Sequence, residues 1–420
     1  TQSDDSETIF IVDVNYDYMQ NGLRVSEDRR YEITYESGVL PKEFAPTIIG
    51  NVRLSLTVKY GNQGLQSQMM TYNNSVAFDL FNSGDGTEGN PYAITNAEQF
   101  ENMQYRLTKP SYLNTYLLND AEVTDVSTRF YFSLESDIYN LSFDGVLFEG
   151  AFQGVLNGNG HILSYTSNAI QTTNITSQTT NAGLIPRLNT EDDGITYNIG
   201  LSLFETVSGY INNLQIIANY TSTSVLTENA LFAGLAIANG AEGNITDVTI
   251  RGMTSDVAVY NGTERQTVAT YAGLVGFNNG RILRGSVAGD IVVSDENTSG
   301  VQNIFVGGIA YTSLGNIESA TLRGHISLDL QNSGGGQHQV AGIAITSMGM
   351  LTIEDNFTSQ SASVTVGGVA GNSHIVYLAG IAVYARGSVR YPSTLPELTS
   401  ATEITDLYSS NGIIDTGIGG

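Results

Sequence analysis

The chain has 420 residues with no Cys and no Trp, and its 42 Asp and Glu against 17 Lys and Arg leave a net charge of -25. Without Cys, disulfides, thiolate zinc sites, iron–sulfur clusters and cysteine nucleophiles are excluded. The acidic surface repels nucleic acid and anionic membranes, and no apolar run is long enough for a bilayer-spanning helix, so neither nucleic acid nor membrane insertion is expected.

The chain opens on acidic TQSDDSE rather than a basic region followed by an apolar one. With abundant Gly, Ser, Thr, Asn and Tyr, this points to an all-β protein placed outside the cell or on its surface, its signal peptide removed. Residues 1–85 read as a separate, sandwich-like β domain serving attachment or assembly. In 8–18, Val12, Val14, Tyr16 and Tyr18 alternate with Asp13, Asn15 and Asp17, the period of a half-buried strand. The Asp13-x-Asn15-x-Asp17 start of an EF-hand loop fails, because Tyr18 stands where the loop needs Gly and Arg24 where it needs Glu. Further strands are expected at 31–35, 48–60 and 76–81. The strand at 8–18 lies at a terminus with no hairpin partner close by, which suggests addition to the sheet of another copy, as in a surface filament.

The polar, Gly-rich segment 83–92 marks a boundary. After it, Thr95 and Glu98 have capping-box spacing, and Phe100, Met103 and Leu107 recur at helical intervals. A helix over 95–107 is expected, capping the first coil of a solenoid.

From about 130 to 386 a degenerate repeat of about 35 residues appears. One strand reads GYINNLQI, GNITDVTI, GRILRGSV and GNIESATL, starting at Gly209, Gly243, Gly280 and Gly315. A second reads FAGLA, YAGLVG, VGGIAY and VAGIAI around Gly234, Gly273, Gly308 and Gly342, and a third starts at Gly252, Gly289 and Gly324. Short strands of small and β-branched residues cannot bury a face alone, but stacked coils pair every backbone group at a spacing of about 4.8 Å. The fold class expected is therefore all-β: a right-handed parallel β-helix with three strands per coil over 86–387. The glycines are expected to turn corners at φ > 0. Length variation collects in loops at 294–303 and 331–339, and 388–420 reads as an atypical terminal cap or a tail.

AGLVGFNNGRILRGSVAGDI (272–291), the entry segment DGTEGNPYAITNAEQFENM (85–103) and FYFSLESDIYNLSFDGVLFEGAFQGVLNGNGHIL (130–163) resemble the GLUG-motif family of bacterial and archaeal surface proteins. The resemblance covers about 85–385. It implies a β-solenoid on secreted, often adhesive proteins, and it implies no single activity.

Parallel β-helices also carry polysaccharide lyases and hydrolases, whose chemistry leaves its own signs. Galacturonase-like sites need clustered Asp beside Gly-His-Gly and Arg-Ile-Lys. Here His161 in GNGHIL has no Asp pair near it in sequence and reads as a structural corner His. Asp137, Asp144 and Glu149 lie close enough in sequence to be candidates for paired carboxylates. Spaced around turns, they read as solvent-facing. Arg251, Arg281, Arg284 and Arg323 recur at equivalent coil corners, as solvated Arg at turns. His325, His338 and His374 are too scattered for a metal motif, and no HExxH or GxSxG is present. No catalytic, cofactor-binding or metal residues are therefore assigned, beyond weak Ca²⁺ binding by loop Asp and Asn. The reading is a non-enzymatic structural or adhesive surface protein whose partner is a cell-surface glycan or protein, or copies of itself. The rival is a polysaccharide-active enzyme using the solenoid groove.

Overall fold

A computed structural model describes residues 8–20, 23–35, 51–60, 69–73, 81–84, 86–103, 130–169, 174–179, 195–259, 267–295, 302–330, 336–354, 362–368, 374–390, 395–400 and 406–415. The expected Leu107, most of the strand at 76–81 and the tips of the long loops lie outside them. The chain divides into two compact units, 1–94 with 98–131, and 95–97 with 132–420.

In the first unit, β1 (Thr8–Gln20), β2 (Leu23–Tyr35), β3 (Asn51–Tyr60) and β4 (Met69–Asn73) form an antiparallel sheet in the order β2-β1-β3-β4. The described residues between 8 and 73 thus form one sheet, and most of the further strand expected at 76–81 lies outside the described residues. The expectation of a free terminal strand is corrected. β1 pairs with β2 from Gln20↔Leu23 to Thr8↔Tyr35, and its other edge pairs with β3. Only Asn21 and Gly22 separate β1 from β2, and Asn-Gly between two strands is a strong hairpin signal. A strand with both edges hydrogen-bonded cannot join another sheet without first breaking its own. The helix expected over 95–107 is α1 (Ala97–Glu101), in which Phe100 is fully buried, as is Met103 just after it. Asn96, not Thr95, precedes its first turn.

The second unit is a parallel β-solenoid of about five turns. Each turn has three faces. The long face carries Tyr210–Ser222 and Asn244–Asp256, and in later coils pairs of shorter strands such as Arg281–Leu283 with Ser286–Asp295. The second face stacks Ala230–Ala233, Thr267–Ala272, Gln302–Gly307, Gly336–Ala341, His374–Ala379 and Asp406–Ser410. The third stacks Ala236–Asn239, Val275–Asn278, Ala310–Ser313, Ala344–Ser347, Ala382–Ala385 and Ile413–Asp415. The string FAGLA therefore spans a corner, with Gly234 between the second and third faces. The first and third repeat strings are halves of the long face.

Period becomes packing because equivalent residues stack. Ile211, Ile245, Ile282, Ile317 and Leu351 form one inward column, and Leu163, Ile216, Ile250, Val287 and Leu322 another, all fully buried. At the corner leading to the long face the inward column turns polar. Asn239 Nδ2 donates to Asn278 Oδ1 at 2.8 Å, and Asn278 Nδ2 to Ser313 Oγ at 2.9 Å. The ladder satisfies the two Asn amide N–H groups, which would otherwise cost free energy, and leaves Asn239 Oδ1 buried without a partner.

The corner glycines stand where they were expected, for a different reason. None of them is among the positive-φ glycines. A Cβ on Gly273 would lie 1.9 Å from the Gly308 carbonyl oxygen, and one on Gly315 would lie 2.0 Å from that of Gly280. Close approach of coils, rather than left-handed backbone, demands Gly there. The left-handed position falls on the long face, at Asn213, Asp247, Arg284 and Ser319 on successive coils, with φ from 51° to 56°. That column bends the long face in mid-strand.

The segment after Arg386 continues the solenoid. Val389–Arg390, Glu397–Ser400, Asp406–Ser410 and Ile413–Asp415 pair in parallel with the strands of the preceding coil. Described residues of the segment expected as an atypical terminal cap or tail from 388 thus form a last coil: the apolar spacing loosens there, but backbone pairing still follows the coil beneath.

Candidate functional site

The described residues bring one exposed cluster of chemically capable side chains together, on the first coils. Asp137 immediately precedes the strand Ile138–Asp144, and His161 immediately precedes Ile162–Ala169, its parallel neighbour. Gly158-Asn159-Gly160 turns the chain before His161, with Asn159 at φ 50° and Gly160 at φ 78°. The turn is held by Asn159 Nδ2, which donates to Ser133 Oγ at 2.7 Å and to the Leu134 carbonyl at 2.8 Å.

His161 Nδ1 lies 3.1 Å from Asp137 Oδ1, which also accepts the Ile162 backbone N–H at 2.9 Å. Tyr139 Oη donates to Asp137 Oδ2 at 3.1 Å. These bonds, the Ile162 N–H foremost, hold the Asp137 carboxyl below the ordinary carboxylate range, and the Tyr139 phenol is raised by donating to it. A carboxylate on Nδ1 fixes the imidazole with its Nε2 as the remaining lone pair, the arrangement that orients a base or a ligand. The Tyr139 side chain is 52% exposed, an apolar ring with a pinned hydroxyl.

His161 therefore has an Asp partner, 24 residues upstream and one coil away. The three candidate carboxylates do not converge: Asp137 and Asp144 stand at opposite ends of one strand, beyond the roughly 5–9 Å of cooperating pairs. Glu149 is exposed on the next strand, and the Gly150 N–H is taken by Glu205 instead, at 2.8 Å.

The corner Arg residues are less simple than solvated cations. Arg284 grips Asp247 through two bonds of 2.5 and 2.6 Å, and Arg281 grips Glu318 through two of 2.9 and 2.7 Å. Each pair joins neighbouring coils. The guanidinium holds the Asp247 and Glu318 carboxyls below their usual range. Arg251 Nε donates to Gln215 at 2.6 Å.

His325 bonds Ser363 on the outside at 2.8 Å, whereas His338 and His374 are buried against each other. Among the described residues, no three His, Asp or Glu side chains gather as metal ligands, and no helix is long and apolar enough to cross a membrane. The loop tips that suggested weak Ca²⁺ binding lie mostly outside the described residues.

No family model and no curated protein matches the chain. Among solved structures it is similar to a "putative immunoglobulin A1 protease" from Bacteroides ovatus, at 14% identity and a TM-score of 0.27, over 80% of this chain and 87% of that one.

Proposed function

We propose that this chain is an extracellular structural and adhesive protein of the GLUG-motif kind, its solenoid a stiff spacer and its first coils a contact surface for a neutral cell-surface glycan. The observation that carries the spacer role is the register of the second and third faces. From Ala230 onward their strands stack coil on coil without a bulge. The columns between them leave little freedom for one coil to slide on the next.

Contact with a glycan is supported by the exposed Tyr139 ring beside Asp137 and His161. An aromatic face with polar groups at its rim suits the apolar side of a sugar. The net charge of -25 disfavours acidic glycans.

The second reading, a polysaccharide-active enzyme, is favoured by the carboxylate-oriented imidazole of His161. A glycan array probed with the full chain, paired with an assay for new reducing ends, separates the two. Binding without turnover, weakened by Tyr139→Ala, supports adhesion. Turnover abolished by Asp137→Ala or His161→Ala would replace it with the enzyme.

A further inference from the structure

Inside the solenoid, Nε2 of His338 lies 2.9 Å from Nδ1 of His374, with ring centroids 5.1 Å apart. They come from adjacent strands of the second face, Gly336–Ala341 and His374–Ala379, in which Gly336 pairs with His374 and His338 with Val376. His338 shares its column with Ile304 and Val376, both buried, so its imidazole replaces an aliphatic side chain. The ring packs over Gly336, where a Cβ would come 3.3 Å from His338 Cε1 and 2.0 Å from the Gln302 carbonyl oxygen. Nδ1 of His338 is sealed without a partner.

One shared hydrogen bond uses one N–H and one lone pair, which suits two neutral rings. An added proton would bring a charge into the core, so what faces the pair decides its cost. The strands Gln302–Gly307, Ala344–Ser347 and Ser363–Gly368 packed against it bring no titratable side chain. Ala382–Ala385 brings Tyr384, Asp406–Ser410 brings Asp406 and Tyr408, and Ile413–Asp415 brings Asp415. Asp406 is the register partner of Ile375 rather than of His374. On the strand itself Tyr377 stacks on Tyr408, 5.0 Å away. Across the core, His325 and Asp329 alternate with the buried Ile326, Leu328 and Leu330, and so lie on the outer face.

We propose that His338, sealed against His374, is an acid-sensitive latch: the coils carrying 336–341, 374–379 and 406–410 stay stacked while the His338 ring is neutral, and part when it takes a proton. Burial, with the neighbouring His374, holds His338 at about 3, below the ordinary 6.5. A depressed folded value means that the stabilisation is complete above the unfolded value and is lost as pH falls from 6.5 toward 3. Parting at the pair would uncover the edge of Gly336–Ala341, an unpaired strand template.

Hydrogen exchange on the full chain between pH 7 and pH 4, corrected for intrinsic rates, tests this. Protection of 336–341, 374–379 and 406–410 should fall by up to about tenfold per pH unit as His338 takes its proton on opening. Protection of 210–222 and 244–256 should hold. In the double variant His338→Ile, which matches Ile304, and His374→Gln, the acid-linked loss should vanish. Uniform loss over all coils, or equal loss in the variant, would overturn the latch. If the variant does not fold, nitrogen NMR of the wild-type His338 imidazole decides: this ring should stay neutral until protection fails. A His338 ring that charges near its ordinary value with its coils intact overturns the proposal.

Discussion

Asp137 Oδ1 receives both the imidazole Nδ1 of His161, at 3.1 Å, and the N–H of the very next residue, Ile162. One carboxylate therefore sets a ring and starts a strand at once, clasping the first coil to the second. Binding and structure can be separated at this point. Asp137→Asn keeps an acceptor for Ile162, whereas Asp137→Ala removes it. Amide exchange at Ile162 should rise roughly tenfold in the Ala variant and much less in the Asn variant. Equal exchange in both would show that the clasp does not hold the strand.

The corner glycines allow a matched pair of substitutions. Gly273→Ala places a methyl 1.9 Å from the Gly308 oxygen, so one coil must move away from the next. The cost should be on the order of 3 kcal/mol or more. Gly252→Ala meets nothing nearer than Ile217 Cγ2 at 3.9 Å and has no positive φ, so it should stay within about 0.5 kcal/mol of wild type. Thermal unfolding of the two variants checks the contrast.

Asn278 carries the middle of the polar ladder, accepting from Asn239 and donating to Ser313. Asn278→Ala takes the short bond from the buried Asn239 amide, which keeps only the Arg281 carbonyl at 3.4 Å, while the Ser313 hydroxyl keeps the Gly315 carbonyl. A loss of about 1–3 kcal/mol is expected. It should be local, because each coil in a solenoid contacts only its neighbours. Exchange should quicken first in 236–239 and 310–313, and a uniform change along the solenoid would contradict the ladder's local role.

Arg284 combines an outward ion pair with a left-handed backbone, at φ 54°. Arg284→Ala removes the guanidinium, so the Asp247 carboxyl should rise back toward 3.8. Because the folded value is depressed, the pair stabilises the protein above the ordinary carboxylate range and loses that contribution as pH falls through the folded value. Both partners are nearly half exposed, at 47% and 43%, so the contribution is small. Arg284→Gly loses the same pair but relieves the backbone, and should unfold at a higher temperature than Arg284→Ala. Carboxyl carbon NMR of Asp247 and melting curves of the two variants read both effects.

How much of the fold and the site is legible in the residues depends on whether period or pairing is at stake. The stacks through Gly209, Gly243, Gly280 and Gly315, and through Gly234, Gly273, Gly308 and Gly342, follow from spacing, because a parallel solenoid puts residues one period apart on top of each other. Asn21-Gly22 is a local signal for the β1–β2 hairpin, and it outweighs the terminal position that suggested a free strand. His338 and His374 are separated by 36 residues, about one coil, and the alternation around Ile304 turns His338 inward. Their scatter along the chain hides that relation.

The sequence by itself determined the solenoid, its period and the small residues of its corners, since those depend only on which positions recur. Only the tertiary structure decided that Asp137 meets His161, that Arg284 meets Asp247, and that the corner glycines serve close approach rather than left-handed turns. Those outcomes depend on bends within a coil and on the lateral shift between coils. The left-handed column at Asn213, Asp247, Arg284 and Ser319 sets the bend. Asn213 and Asp247 are types that favour a left-handed backbone, but Arg284 and Ser319 are not, so local propensity alone does not announce the column.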